Sequence, residues 1–334
     1  VVLGGVAVFA AAGLFSAETP SILWLLAGRL VQGMGAGVGA AMPLAIIRDL
    51  FRDAAARTRL SYVTVVLSVA PLIAPSLGSI AIPFGGWRGI YLALGIASAL
   101  LWVVAAFGLA ESMDPNRRQS LQPRQLLARY RRVLRHRVTL GFSLVNGLSF
   151  ACMFAFISGS PLVLIDGRGF SAAAFSAVFA CAGFGTICGA FVNGRLAARG
   201  IPSSRILACS LSLGSAGTIA LMTLSLTGHD GVAALVPLLM LSNACYGMVG
   251  PNATHEALQP MAEAAGIASA VLRCIQMVVA AAASALVPAL YHGHSSLPMT
   301  GVMAAAAVSA LLVYRLGLRR GEAVAAETAA HPAE

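Results

Sequence analysis

The sequence contains no lysine; all 22 of its basic residues are arginine. Charge is scarce altogether, at 10% of 334 residues, where soluble domains carry about 25%. With 58% hydrophobic residues, the chain cannot clothe a soluble surface, which excludes a water-soluble globular fold. Acidic residues number 12, and none lies deep inside an apolar run. Glu18, Asp166 and Asp230 mark one end of such runs, and Asp49, Asp53, Glu111, Glu256 and Glu263 the other. No C-x-x-C pair occurs. Cys152, Cys181, Cys188, Cys209, Cys245 and Cys274 all fall within apolar runs and read as buried small hydrophobes. Cys181 and Cys188 share a helix face, but at membrane depth, so no disulfide is expected. His292 and His294 lack a cysteine or carboxylate companion, so they read as a solvated loop. No metal and no cofactor are expected. The opening residues from Val1 lack the basic segment and cleavage site of a signal peptide. They read as a first span already under way.

What the chain has is long apolar runs. Ten can be read, near 1–17, 21–46, 60–82, 89–109, 138–162, 172–192, 206–227, 232–253, 264–288 and 299–316. About 20 apolar residues cross a bilayer as a helix, and in lipid a segment must satisfy its own backbone. The expected fold is therefore an all-α polytopic membrane protein.

The net charge of +10 raises the question of nucleic acid, and the placement of the arginines answers it. Arg48, Arg52, Arg57 and Arg59 lie between the second and third runs. Arg117, Arg118, Arg124, Arg129, Arg131, Arg132, Arg135 and Arg137 lie between the fourth and fifth. Arg195, Arg199 and Arg205 follow the sixth, and Arg315, Arg319 and Arg320 close the tenth. The alternate gaps hold only Arg88 and Arg168. Positive charge marks the cytoplasmic side, so both ends and the long linker are expected inside. Charge spread over separate loops is not a nucleic-acid surface.

The linker carries its own pattern. Leu126, Leu127, Tyr130, Val133 and Leu134 repeat with helical period among five arginines. That predicts an amphipathic helix over 124–135, lying on an anionic inner leaflet or packed on neighbouring loops. The domains are then 1–109, a bundle of four helices; 110–137, the basic linker; 138–316, a bundle of six; and 317–334, a tail. Two six-helix halves joined by a long linker are a known transporter plan, and the first half is short by two.

Two arginines lie inside spans. Arg29 is about nine residues from the outer end, roughly 14 Å at 1.5 Å per residue. An arginine so deep costs at least about 2.5 kcal/mol and should face a cavity or a partner. Gln32, one turn on, shares its face. Arg273 lies similarly deep in the ninth span, with no acid nearby in that span. Gly33, Gly35, Gly37 and Gly39 give overlapping G-x-x-x-G spacings, which allow close helix contact. Pro71 and Pro75 sit on one face of the third span. Each frees a carbonyl and bends the helix, as a gate or a static kink.

With these residues in view, the chain resembles the major facilitator superfamily. Arg29-Leu30-Val31-Gln32-Gly33 resembles its fourth-helix motif, and Ala70 to Ser79 its antiporter motif. More narrowly it resembles the bicyclomycin/chloramphenicol-resistance (Bcr/CflA) branch of drug:proton antiporters. Matching pieces are Arg48-Asp49, Ala74 to Gly78, Gly86-Trp87-Arg88, Phe156 to Pro161, Gly250-Pro251-Asn252, and Ala265 to Ala270 with Gln276. Ala74 and Ser79 stand where the superfamily favours glycine, and Arg273 where the branch often has a small residue. The resemblance implies ten of twelve helices, arranged four and six. It also implies a proton-carrying acid in the first helix, which would precede Val1, so these ten spans alone are expected not to couple export to protons.

The function expected is export of amphipathic drugs or other small molecules in exchange for protons by alternating access. The cell would be bacterial, the location its inner membrane, and the carrier a monomer. Its partners would be the small-molecule substrate, protons and the anionic inner leaflet. Candidate cavity residues are Arg29, Gln32, Asn146, Phe150, Phe154, Asn252, Arg273 and Gln276; candidate kink or gating residues are Pro71, Pro75, Gly78, Pro161 and Pro251. Two other readings compete. An inactive or non-transporting fragment follows from the missing helices. A membrane-embedded enzyme would need clustered catalytic groups at membrane depth, and His255 lies far along the chain from Ser158 and Ser160.

Overall fold

Every described span is a helix, as the absence of water in a bilayer core demands. The computed structural model describes residues 2–50, 73–74, 77–78, 80–108, 123–293 and 295–318. The elements are α1 (Val2–Ala17), α2 (Ile22–Leu50), α3 (Gly86–Gly108), α4 (Pro123–Arg135) and α5 (Arg137–Pro161). Then come α6 (Ala172–Ala198), α7 (Ser203–Leu226), α8 (Val232–Leu258), α9 (Ala265–Leu290) and α10 (Leu297–Leu312). Among the described residues, eight helices contain stretches long and apolar enough to cross a membrane, and α1 is a shorter apolar helix. The expected third span, 60–82, falls largely outside the described residues, and Pro71 and Pro75 with it.

The chain divides into two compact units, Val1–Ser120 and Leu121–Glu334. In the first, α1 packs between α2 and α3. The glycine run of α2 is used selectively. A Cβ on Gly35 would lie 2.6 Å from the Gly5 carbonyl, and one on Gly28 would lie 2.6 Å from the Ser16 hydroxyl. Gly33, Gly37 and Gly39 have open space instead. Seven residues are close to two helical turns, so Gly28 and Gly35 share the face that meets α1. The overlapping G-x-x-x-G spacings do not.

In the second unit, α5 is central and touches α8, α9 and α10, while α6 packs on α8. Local signals set the ends. The Ser171 hydroxyl accepts from the Ala174 N–H at the start of α6, a standard N-cap. At its end Gly200 adopts φ 74°. The Ile201 N–H then reaches the Leu196 carbonyl and the Gly200 N–H that of Ala197, which is the Schellman arrangement.

Helices α6 and α8 meet backbone to backbone. A Cβ on Gly189 would sit 1.9 Å from the Ala244 carbonyl oxygen, and one on Gly247 2.3 Å from that of Thr186. Backbone cannot yield as a side chain can, so Gly189→Val should separate the two helices. The expected result is loss of a monodisperse peak in detergent. Gly194→Ala, on the same helix with open space around it, should leave the thermal midpoint unchanged or raised, since alanine favours helix.

Outward faces are apolar, as lipid requires: Trp24, Leu30, Phe107, Phe191 and Leu226 are all exposed. The cysteines follow the same logic. Cys152 and Cys245 are buried, but Cys181, Cys209 and Cys274 are exposed. Lipid accepts a small hydrophobe as readily as a core does, so an apolar run does not imply burial. Helix α4 forms where the periodicity predicts it. Its Val133 is fully buried, with Tyr130 partly so, against Met261, Ala268 and Val271. That part of the stripe covers protein rather than lipid, and the outer face is left with Leu127, Leu134 and arginines.

Candidate functional site

Polar side chains inside these apolar helices must find one another. Asn146, Phe150 and Phe154 are spaced by four residues on α5 and so share a face. Asn146 is 2% exposed. Its Nδ2 donates to Thr254 Oγ1 on α8 at 2.8 Å and lies 3.4 Å from the Gly250 carbonyl. Its Oδ1 accepts from Gln276 Nε2 on α9 at 3.1 Å. Gln276 Oε1 in turn accepts from Arg273 at 2.8 Å. The result is a relay of four side chains across three helices: Arg273, Gln276, Asn146, Thr254. Gly147 lies against α9 here, where a Cβ would come into van der Waals contact with the Gln276 backbone at 3.4 Å.

An aromatic patch adjoins the relay. The rings of Phe150 and Phe154 are 4.8 Å apart, and those of Phe150 and Tyr246 5.5 Å. The Tyr246 hydroxyl faces Gln276, near Arg273. Behind Tyr246 lies a cavity of about 30 Å³, lined by Ser149, Cys152, Ser210, Ser215 and Thr218 among others. It has room for water and no more.

In the first unit, Arg29 donates to Gln32 Oε1 at 2.7 Å and its guanidinium lies 5.5 Å from the centre of the Tyr91 ring. Helix α2 runs unbroken past it, so Arg29 is not capping carbonyls of a broken helix. Gln32 is 1% exposed, and its Nε2 has no hydrogen-bond partner among the described residues.

Other sequence candidates lie elsewhere. Asn252 turns away from the relay, donating to Asn193 Oδ1 on α6 at 2.6 Å and to the Met248 carbonyl. Pro251 lies within a continuous α8, and Pro161 ends α5 ahead of a wider turn at Leu162–Asp166. The run before Pro161 serves packing. The Ser158 hydroxyl donates to the Ser284 carbonyl of α9, and a Cβ on Gly159 would meet Met299 of α10 at 2.6 Å. Gly78 is half-buried with open space where a Cβ would be.

Tyr246, Thr254 and Tyr91 are members that the sequence did not single out. Their signal is there in hindsight. Tyr246, Gly250 and Thr254 are spaced by four on α8, and a phenol at mid-span needs a partner for its hydroxyl.

The family model of the Major Facilitator Superfamily matches residues 1–285. The chain belongs to that superfamily. Among its relatives is the uncharacterized MFS-type transporter YdgK of Bacillus subtilis, 29% identical, covering 92% of this chain and 76% of that protein. The bicyclomycin resistance protein homolog of Haemophilus influenzae is 25% identical over 94% of this chain and 78% of its own length. Multidrug resistance protein D of Escherichia coli is 28% identical over 90% and 75%. Among solved structures, the xylose transporter XylE of E. coli matches with a TM-score of 0.70 at 14% identity, covering 95% of this chain and 80% of that one. That likeness speaks to the fold. As a superfamily member the chain is a multi-pass membrane transporter of small molecules, and the enzyme reading is set aside.

Proposed function

We propose that this superfamily member exports amphipathic small molecules, drugs among them, in exchange for protons by alternating access. It would act as a single chain in the bacterial inner membrane, within the bicyclomycin/chloramphenicol-resistance branch. The observation that carries the proposal is the relay of Arg273, Gln276, Asn146 and Thr254 beside the Phe150–Phe154–Tyr246 patch. Ligand sites are commonly apolar walls with a few placed polar groups, and this face has that make-up. The names of two relatives, which speak of bicyclomycin and multidrug resistance, support the same reading.

The test is expression of the protein from its complete gene in a drug-hypersensitive bacterium, scored against bicyclomycin, chloramphenicol and a panel of amphipathic compounds. Raised resistance that disappears with an ionophore collapsing the pH gradient is expected. No change for any compound, with the protein present in the membrane, would contradict export.

The topology proposed from the arginines can be tested separately. In a cysteine-free background, an impermeant thiol reagent applied to cells should label His229→Cys and spare Ser120→Cys. The reverse pattern would overturn it. The outer face of α4 fits the same orientation. Arg124, Arg131, Arg132 and Arg135 flank Leu127 and Ala128 there, suited to the phosphates of an anionic inner leaflet.

A further inference from the structure

The relay has a direction. Gln276 Oε1 is taken by the Arg273 guanidinium, and Asn146 Oδ1 by the Gln276 amide. Asn146 Nδ2 is spent on Thr254. Each amide oxygen is thus already engaged by a donor within the chain. A guanidinium has five N–H groups, and one bond to Gln276 leaves the others for a ligand. Arg273 is exposed, and among the described residues it has no carboxylate partner. The cluster therefore offers mainly donors and positive charge, with one lone pair of each amide oxygen already used within the chain.

The first unit repeats the arrangement with different neighbours. Gln32 Oε1 accepts from Arg29, while the buried Gln32 Nε2 finds no acceptor among the described residues. Arg29 likewise has no carboxylate partner among the described residues. An organic cation would meet repulsion and few free acceptors at each place. A carboxylate would meet a fork of N–H groups that matches its geometry.

The aromatic patch supplies the second half of the recognition. Phe150, Phe154 and Tyr246 present tilted ring pairs at 4.8 and 5.5 Å, and a flat ring adds to such a cluster by offset or edge contact. We infer that the preferred substrates are amphipathic aromatic anions, such as aryl carboxylates, held by ring contact with Phe150 and Phe154 and by the free N–H groups of Arg273. This rests on the reading of the relay face as the transport site.

The experiment is equilibrium binding to the purified full chain in nanodiscs, with three probes of one shape: 2-naphthoate, 2-naphthalenemethanol and 2-naphthylmethylammonium. A charge-assisted hydrogen bond contributes about 1.5–3 kcal/mol, so naphthoate should bind about tenfold or more tighter than the neutral alcohol. The ammonium should bind weakest. Arg273→Gln should bring the naphthoate-to-alcohol ratio close to one, and Arg273→Lys should restore part of it. Binding of the alcohol to each variant reports that the face is still formed. Equal or tighter binding of the ammonium, or an unchanged ratio in Arg273→Gln, would overturn the anion inference and leave the exporter reading standing. If none of the three probes binds, the relay face is not a ligand site, and both fall.

Discussion

Arg29→Ala is expected to reduce resistance to that of cells carrying an empty vector, with a normal amount of protein in the membrane. Arg29 is the eighth residue of α2, well inside an apolar helix. Placing a guanidinium at such depth costs at least about 2.5 kcal/mol, and its visible partners are one neutral amide and the face of the Tyr91 ring. Neither neutralises the charge. Removing the side chain leaves the buried Gln32 Oε1 without its bond, a cost of about 1–3 kcal/mol that the helix preference of alanine and the removal of a deep charge offset in part, so the protein should still reach the membrane. On the proposed function, what is lost is a charge that the transported ligand meets. Quantitative immunoblotting of membranes beside the resistance assay checks this. Normal resistance at normal abundance would show that Arg29 has no part in export.

Asn146→Leu should have the largest effect on the folded state itself. The leucine removes a donor and an acceptor from a position that is 2% exposed. Gln276 Nε2 and Thr254 Oγ1 both lose their partner on α5. A buried polar group left without its bond costs about 1–3 kcal/mol, which applies to Gln276; the half-buried Thr254 loses less. Gln276 would then be free to rotate and Arg273 with it. The expected outcome is a thermal midpoint several degrees lower in detergent, together with loss of ligand binding at the Phe150 face. Thr254→Val removes only the end of the relay and should do less on both counts. An Asn146→Leu protein as stable and as active as the parent would mean that the relay contributes neither structure nor recognition.

How much of this was legible in the sequence follows from the range of each interaction. The described spans were legible because lipid forces apolar runs of that length into helices. The pairing of Arg29 with Gln32, and of Arg273 with Gln276, is an i, i+3 relation on one helix face. The shared face of Asn146, Phe150 and Phe154 is local in the same way. What joins Gln276 to Asn146 is contact between α9 and α5, and no local period encodes which face of one helix meets which face of another. Asn252 shows the consequence. Its depth and polarity resemble those of Asn146, yet its partner is Asn193 on α6. The linker makes the same point for apolar groups. Period identified the stripe of α4, but Val133 and Tyr130 are covered by Met261, Ala268 and Val271, which a stripe facing lipid would match equally well in composition.

The measurement that bears most directly on the central claim is substrate counterflow in proteoliposomes made with the full chain. Vesicles are loaded with an unlabelled compound that scored in the resistance assay, and labelled compound is supplied outside with no ion gradient. The account predicts saturable, transient accumulation of label above the protein-free rate, reduced by Phe150→Ala and abolished by Arg273→Gln. Entry of label at the protein-free rate, or exchange that neither substitution alters, would contradict transport at the relay face.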